Sequence, residues 1–255
     1  MTSPISFAPM ADAAPPRQRV IAHAQTEARL IFRVGEQILV SVLIPIAVLV
    51  AGTVWGDRLG LTLADVAPSV LALVVWSTAL TSLAITTGFE RRHGILERLA
   101  VTPLGRGGLL AGKALAITAV AVVEMVLVAL VAIVIGWRPQ PDLVQWLVVA
   151  VTLPLAAVAF ASLALSMAGR LQPEIIIGLV NVIYLAGMAG GGIIWPLDEL
   201  PSWLSPIIGA LPTAALGEAL RHWSTGGVTW WTIPVAAVWA AGGLAVAKRL
   251  FRWTA

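Results

Sequence analysis

Long stretches without a charged residue, separated by short charged clusters, dominate the chain. Charge-free windows run between Glu36 and Asp57, Asp65 and Glu90, Asp142 and Arg170, Glu174 and Asp198, and Arg221 and Lys248. A sixth window, Lys113 to Arg138, is broken only by Glu124. As a helix, each is long enough to cross a hydrocarbon core about 30 Å thick. The pattern predicts an all-α polytopic membrane protein with six transmembrane helices, over about 37–56, 66–88, 114–136, 144–168, 175–194 and 229–247. Pro45, Pro154 and Pro234 fall inside spans one, four and six and read as kinks repaired by neighbouring helices. A further window, between Glu199 and Glu218, holds Pro201, Pro206 and Pro212, which cut helices into short pieces. It is expected to form re-entrant outer helices over about 196–222 rather than a seventh crossing.

Ahead of the first span, Val20, Ala24, Ala28, Ile31 and Val34 recur at helical spacing, with Arg19, Gln25, Thr26, Arg29 and Arg33 between them. That is the pattern of an N-terminal amphipathic interfacial helix whose arginines reach toward headgroups. Residues 1–16, rich in Ala, Pro and Ser, read as a disordered tail, and residues 17–255 as one transmembrane domain. No cleaved signal peptide is expected, since no apolar core with a small-residue cleavage site precedes the first span.

Composition sharpens this reading. Hydrophobic residues make up 59% of the chain and charged residues 11%, against about 25% charged in soluble domains. Too little polar surface remains for a water-soluble enzyme or nucleic-acid binder, and a net charge of +3 is too small to attract nucleic acid. There are no cysteines, so disulfides, thiolate nucleophiles and cysteine-ligated zinc are excluded. The distribution of Lys and Arg sets the orientation. With six spans, 13 of the 16 basic residues fall on the side that holds both termini, and only Arg58, Arg138 and Arg221 fall on the other. Both termini are therefore expected in the cytoplasm. The last outward connection carries Trp195, Trp203, Trp223, Trp230 and Trp231, residues that favour the membrane interface.

Few groups could carry chemistry. The three histidines, His23, His93 and His222, form no zinc motif, and no Ser–His pair assembles within a span. No metal site and no hydrolase are expected. Gly107-x4-Gly112-Lys113 imitates a phosphate loop, but Ala114 stands where Ser or Thr must hold magnesium. Glu124 is the one acidic residue deep in a span, at an insertion cost of roughly 2.5–3.5 kcal/mol. It reads either as a pathway or proton-linked residue or as a polar contact to a neighbouring helix through Asn181 or Thr118. The cytoplasmic stretch after span two, Phe89 to Arg106, predicts a short helix over about 89–99 ended by Thr102-Pro103. Ile95, Leu96 and Leu99 supply apolar contacts; Glu90, Arg91, Glu97 and Arg98 supply charged ones. Joined to two spans, such a helix can pass a push from a soluble partner into the membrane, or it can simply fix topology.

That segment resembles the signature region of ABC-2-type permeases, the membrane subunits of bacterial drug, lipid and polysaccharide exporters, and most of all the daunorubicin-resistance-like permeases. The matching residues are Glu90, Gly94, Glu97, Arg98, Leu99, Thr102, Pro103, Gly112 and Lys113. A second stretch is also similar: Gln172, Asn181, Gly191 to Pro196, Leu200-Pro201, Trp203-Leu204, Leu211-Pro212 and Arg221. The chain departs from the family where a mid-span proline is usual, at Tyr184-Leu185-Ala186-Gly187, and at Leu211, where Asn is frequent.

The resemblance implies a permease of the bacterial plasma membrane that does no chemistry itself and binds no cofactor, ATP and magnesium being held by a partner subunit. It implies two ABC ATPase subunits docking on Phe89, Glu90, Arg91, Gly94, Leu96, Glu97, Arg98, Leu99, Thr102 and Pro103. A second permease, identical or related, would complete the pathway within the lipid bilayer. Glu124, Asn181 and Tyr184 are candidate intramembrane pathway residues; Trp195, Pro196, Pro201, Trp203 and Pro212 are candidate outer-gate residues. An ion-coupled carrier or channel centred on Glu124 is the competing reading.

Overall fold

The computed structural model describes residues 14–33 and 35–251, and these are helical with no strand among them. The expected tail falls largely outside the described residues, as does Arg252. Helix α1 (Pro16–Arg33) opens with Pro16 at its first position, where a missing N–H costs nothing. The next is α2 (Gly35–Trp55), which contains Pro45. α3 (Leu63–Trp76) starts at Thr62, whose N–H and hydroxyl both donate to Asp65 Oδ2, at 3.1 and 2.6 Å. A π-helical stretch, Ser77–Ser82, links α3 to α4 (Leu83–Arg92), so one element runs unbroken from Leu63 to Arg92.

The expected single helix over 89–99 is corrected here. The polypeptide turns at His93-Gly94, with Gly94 at φ 68°, and α5 (Ile95–Ala100) is separate. Glycine takes this left-handed backbone without a Cβ penalty. α6 (Gly105–Ile135) begins nine residues before the expected boundary and has 31 residues. At 1.5 Å per residue it is about 46 Å long, so it overshoots the bilayer core. Its first turns pack along α1.

Beyond Gly136 (φ 123°), α7 (Leu143–Ala168) starts at a reciprocal cap in which Gln145 N donates to Asp142 Oδ1 and Asp142 N to Gln145 Oε1. α8 (Pro173–Gly190) has Pro173 at its start and ends four residues short of the expected boundary. Pro201, Pro206 and Pro212 divide the following stretch into a short 3-10 turn, α9 (Ser205–Gly209) and α10 (Pro212–Thr225). At about 21 Å, α10 is too short to cross the core. α11 (Thr232–Leu250) closes the described chain.

Among the described residues, five helical stretches are long and apolar enough to cross a membrane: Leu63–Arg92, Gly107–Ile135, Leu143–Ala168, Pro173–Gly190 and Thr232–Leu250. In α2 the described apolar part is Val42–Trp55. The chain is a multi-pass membrane protein. α3 is its axis: every residue from Val66 to Trp76 is buried, against α2, α6, α7 and α10. Trp76 meets Phe160 of α7 edge-on, with ring centroids 4.6 Å apart. By contrast α6, α8 and α11 expose large apolar side chains such as Val134, Val182 and Val238. Several helical Ser and Thr hydroxyls donate to carbonyls one turn back, as Thr86 does to Ser82 and Ser162 to Val158, which satisfies those groups without water.

Overpacking the axis should be costly. Ala72→Leu, at a fully buried position, should lower stability by about 1–3 kcal/mol. Val134→Leu, 86% exposed, should be close to neutral. Thermal unfolding in detergent, followed by circular dichroism, checks the contrast.

Candidate functional site: a three-helix clasp, a buried carboxylate and an arginine staple

At the end of the bundle where α1, α4 and α6 meet, Lys113 is 2% exposed. Its ammonium lies 3.0 Å from Glu27 Oε2 of α1 and 2.7 Å from Glu90 Oε1 of α4. One cation thus holds three helices, and removing it would leave two carboxylates facing each other. Burial holds His23, 3.5 Å from Glu27, below the ordinary imidazole value. Its ring covers Gly112, where a Cβ would approach to 2.5 Å. Arg91 turns inward and donates to the carbonyls of Gly169 (3.0 Å) and Leu171 (2.7 Å), satisfying the loop after α7. Arg92 pairs with Glu174 at the start of α8.

α5 therefore hangs from a rigid frame. Leu96 is fully buried, whereas Ile95, Glu97, Arg98, Val101, Thr102 and Pro103 are exposed. Phe89 is half-buried and stacks on His93. The ten residues expected to face a partner thus divide: Glu90, Arg91 and Leu96 point into the protein, Leu99 and Gly94 are half-buried, and the others lie outward or at the rim. Val101, 87% exposed, belongs to the outward surface and was not foreseen.

In the membrane-spanning region, Thr78 of the π-helical stretch donates to Glu124 Oε2 at 2.5 Å, both residues being 2% exposed. The expected helix-to-helix contact exists with a different partner. Thr118 donates instead to Ala114 O and Asn181 to Ile177 O, each within its own helix, and Asn181 is exposed. The Tyr184 side chain is half-buried, while its backbone carbonyl accepts the Trp76 indole N–H at 3.2 Å.

The opposite end of the bundle is stapled by Arg221, 3% exposed. Its guanidinium donates to Ser69 Oγ of α3 (2.9 Å), to Ile193 O (2.6 Å), to Gly192 O (2.8 Å) and to Glu218 Oε1 (2.7 Å). Leu197 N–H also donates to Glu218. Burial opposes the ionised form of Glu218, but the His222 hydrogen bond, the Arg221 charge and the Leu197 N–H outweigh it and bring its pKa to about 2. The hydrogen bond to Glu218 raises His222 above the ordinary imidazole value. The five expected gate residues do not form one cluster. Pro212 is buried at the start of α10, Trp195 and Pro196 are half-buried, and Pro201 and Trp203 are exposed. Trp223 packs against Trp137 and Trp146, with ring centroids 5.7 and 5.0 Å apart. Sequence reasoning missed Glu27, Thr78 and Glu218. Glu27 and Glu218 carry a signal, a basic residue at i−4 and at i+3. Thr78 carries none.

Arg221→Leu should cost about 3–5 kcal/mol, because Glu218 and two carbonyls lose their partner in a buried site. Arg221→Lys should rescue only part, since an ammonium cannot reproduce the fork. Glu218's contribution is complete above pH 4.5 and is lost as pH falls toward about 2. His222's is complete below pH 6.5 and is lost as pH rises through its raised value. Thermal scans from pH 3 to 9 should therefore show a slope above pH 6.5 that His222→Gln removes.

Residues 18–223 match the family described as ABC-2 type transporter. Among curated proteins, the chain is 28% identical over 181 residues to the doxorubicin resistance ABC transporter permease protein DrrC in two strains of Mycobacterium tuberculosis. That match covers 68% of this chain and 64% of the relative. It is 26% identical over 173 residues to ABC transporter G family member 20 of Dictyostelium discoideum, covering 68% of this chain and 23% of that one. The chain thus spans less than two thirds of the length of these relatives. With a family match over most of its length, on a bundle of long apolar helices clasped at one end, the chain belongs to the ABC-2 type transporter family.

Proposed function

We propose that this protein is the permease subunit of an ATP-driven exporter, moving a hydrophobic or amphipathic drug, lipid or glycolipid out of a bacterial cell. It does so without an ATPase site of its own. The observation that carries the reading is the mounting of α5. Leu96 anchors it, Gly94 sets its angle, and Lys113, Arg91 and Arg92 lock its frame to α1, α6, α7 and α8. A force on the exposed face of Ile95, Glu97, Arg98 and Val101 is then transmitted as a rigid-body motion, not absorbed by a loose loop. Two ATPase subunits, holding ATP and magnesium, dock there. Two permease chains, identical or related, form the path. α2 supplies the sixth span, α9 and α10 dip into the outer leaflet, and both termini lie in the cytoplasm, as the 13-to-3 distribution of basic residues favours. The name of the mycobacterial relative favours an amphipathic aromatic drug among the substrate classes.

Charge reversal on the exposed face separates coupling from folding. Glu97→Lys should leave membrane insertion intact yet reduce transport per ATP by about tenfold, the ~1.4 kcal/mol scale of a lost interfacial ion pair. Dye efflux from inverted vesicles holding the cognate ATPase measures it, and wild-type efflux at normal expression would overturn the docking role. Glu90→Lys should instead lower expression, because it sets two ammonium groups together in the clasp.

Glu124 is read as a structural contact between α6 and the π-helical stretch. Glu124→Gln keeps shape and hydrogen bonding and should retain efflux across a pH series. Glu124→Leu should be worse, by about 1–3 kcal/mol for an unsatisfied partner, or nearer 0.6 kcal/mol if membrane contacts of this kind set the scale. Loss of efflux in Glu124→Gln at normal expression, with a wild-type profile that titrates, would favour the ion-coupled reading.

A further inference from the structure

α7 packs against both α8 and α11. Among them stands a cavity of about 860 Å³. Ala186 and Gly190 of α8 form one wall, Gly242 and Val246 of α11 the other, and Trp76 and Phe160 the floor. We infer that this cavity binds the alkyl chain of a bilayer lipid, entering sideways between α8 and α11. The inference rests on the membrane-spanning helices and not on the proposed transport activity.

The chemistry of the walls selects the occupant. Four side chains on the lining carry polar atoms, and each donates to a backbone carbonyl: Ser166 to Ser162 (2.7 Å), Thr213 to Gly191 (2.6 Å), Trp76 to Tyr184 (3.2 Å) and Trp239 to Ala210 (2.7 Å). A polar group entering would lose its water and find every side-chain donor already committed, with only the Ser166 and Thr213 hydroxyl oxygens able to accept. Hydrocarbon loses nothing.

Dimensions agree. From Val238 to Leu250 the α11 wall runs about 18 Å by helical rise, close to the roughly 15 Å of one leaflet in a 30 Å core. The volume falls within the range of about 300–1,000 Å³ typical of ligand pockets.

The glycines show where the space lies. A Cβ at Gly187 would come within 2.8 Å of Trp76, and one at Gly243 within 2.9 Å of Ser162, so these two serve close helix packing. A Cβ at Gly190 or Gly242 would meet nothing within 4 Å. Those two positions open onto the cavity and can be filled without a clash.

The test uses the purified chain in nanodiscs of phosphatidylcholine bearing a diazirine at the end of one acyl chain. After photolysis, peptide mapping should place adducts on the 183–191 and 238–250 walls several-fold above the exposed apolar face of α6 around Val122 and Val126. In Gly190→Leu/Gly242→Leu, those adducts should disappear while the α6 background is unchanged. Adducts spread evenly over every apolar face, or persisting in the filled variant, would overturn the site. The wild-type map decides alone if the double variant fails to assemble. The natural chain has no cysteine, so Gly242→Cys gives an independent check. It should form no disulfide-linked dimer under oxidant, and a disulfide between two copies would put a second copy in the cleft and overturn lipid occupancy.

Discussion

A polar group buried inside the protein has no water to turn to, so it must find its partner among neighbouring side chains and backbone. That constraint organises this molecule. Arg221, Lys113 and Arg91 are all nearly buried, and each is surrounded by carboxylates or carbonyls at hydrogen-bond distance. A guanidinium can satisfy several carbonyls at once because its donors are fixed in a planar fork. This explains why Arg221 and Arg91 stand where the backbone leaves helical order, at residues 192–193 and 169–171, and its carbonyls lack helical partners.

These attachments share one element. The continuous stretch from Leu63 to Arg92 bears Ser69 against Arg221 at one end, Thr78 against Glu124 midway, and Glu90 and Arg91 in the clasp at the other end. Its first half is buried on all sides, while a π-helical stretch sits at its middle. Such stretches carry one residue more per turn than an α-helix and mark functional places in many helices. Here it is where a buried carboxylate is bonded, two residues after the tryptophan that floors the lipid-chain cavity.

The peripheral helices follow a different logic. α8 and α11 bury few residues and rely on lipid to cover their apolar faces. Glycines let α8 approach Trp76 and α11 approach Ser162 closely, while Gly190 and Gly242 leave space unfilled. Close approach and open space therefore alternate along the same two helices, and this gives a bundle that is tight at its axis and accessible from the side.

By itself the sequence determined the class, the positions of the apolar helices, the division of residues 197–225 by prolines, and the place of the charged segment after the second span. Those follow from local rules: an apolar run long enough for the core, a proline without an N–H, a cap such as Asp142 with Gln145. It also held half of the arginine staple, since Glu218 and Arg221 are neighbours on one helical face. The tertiary structure alone decided which way the charges point. Glu90, Arg91 and Leu96 lie in the same charged segment as Glu97 and Arg98, yet they face inward because α1, α6 and the loop after α7 bring partners to them. Glu124 is bonded to Thr78, 46 residues away, because α6 packs on the π-helical stretch. No periodicity encodes that pairing, which depends on how two helices meet in space and not on the spacing along either one.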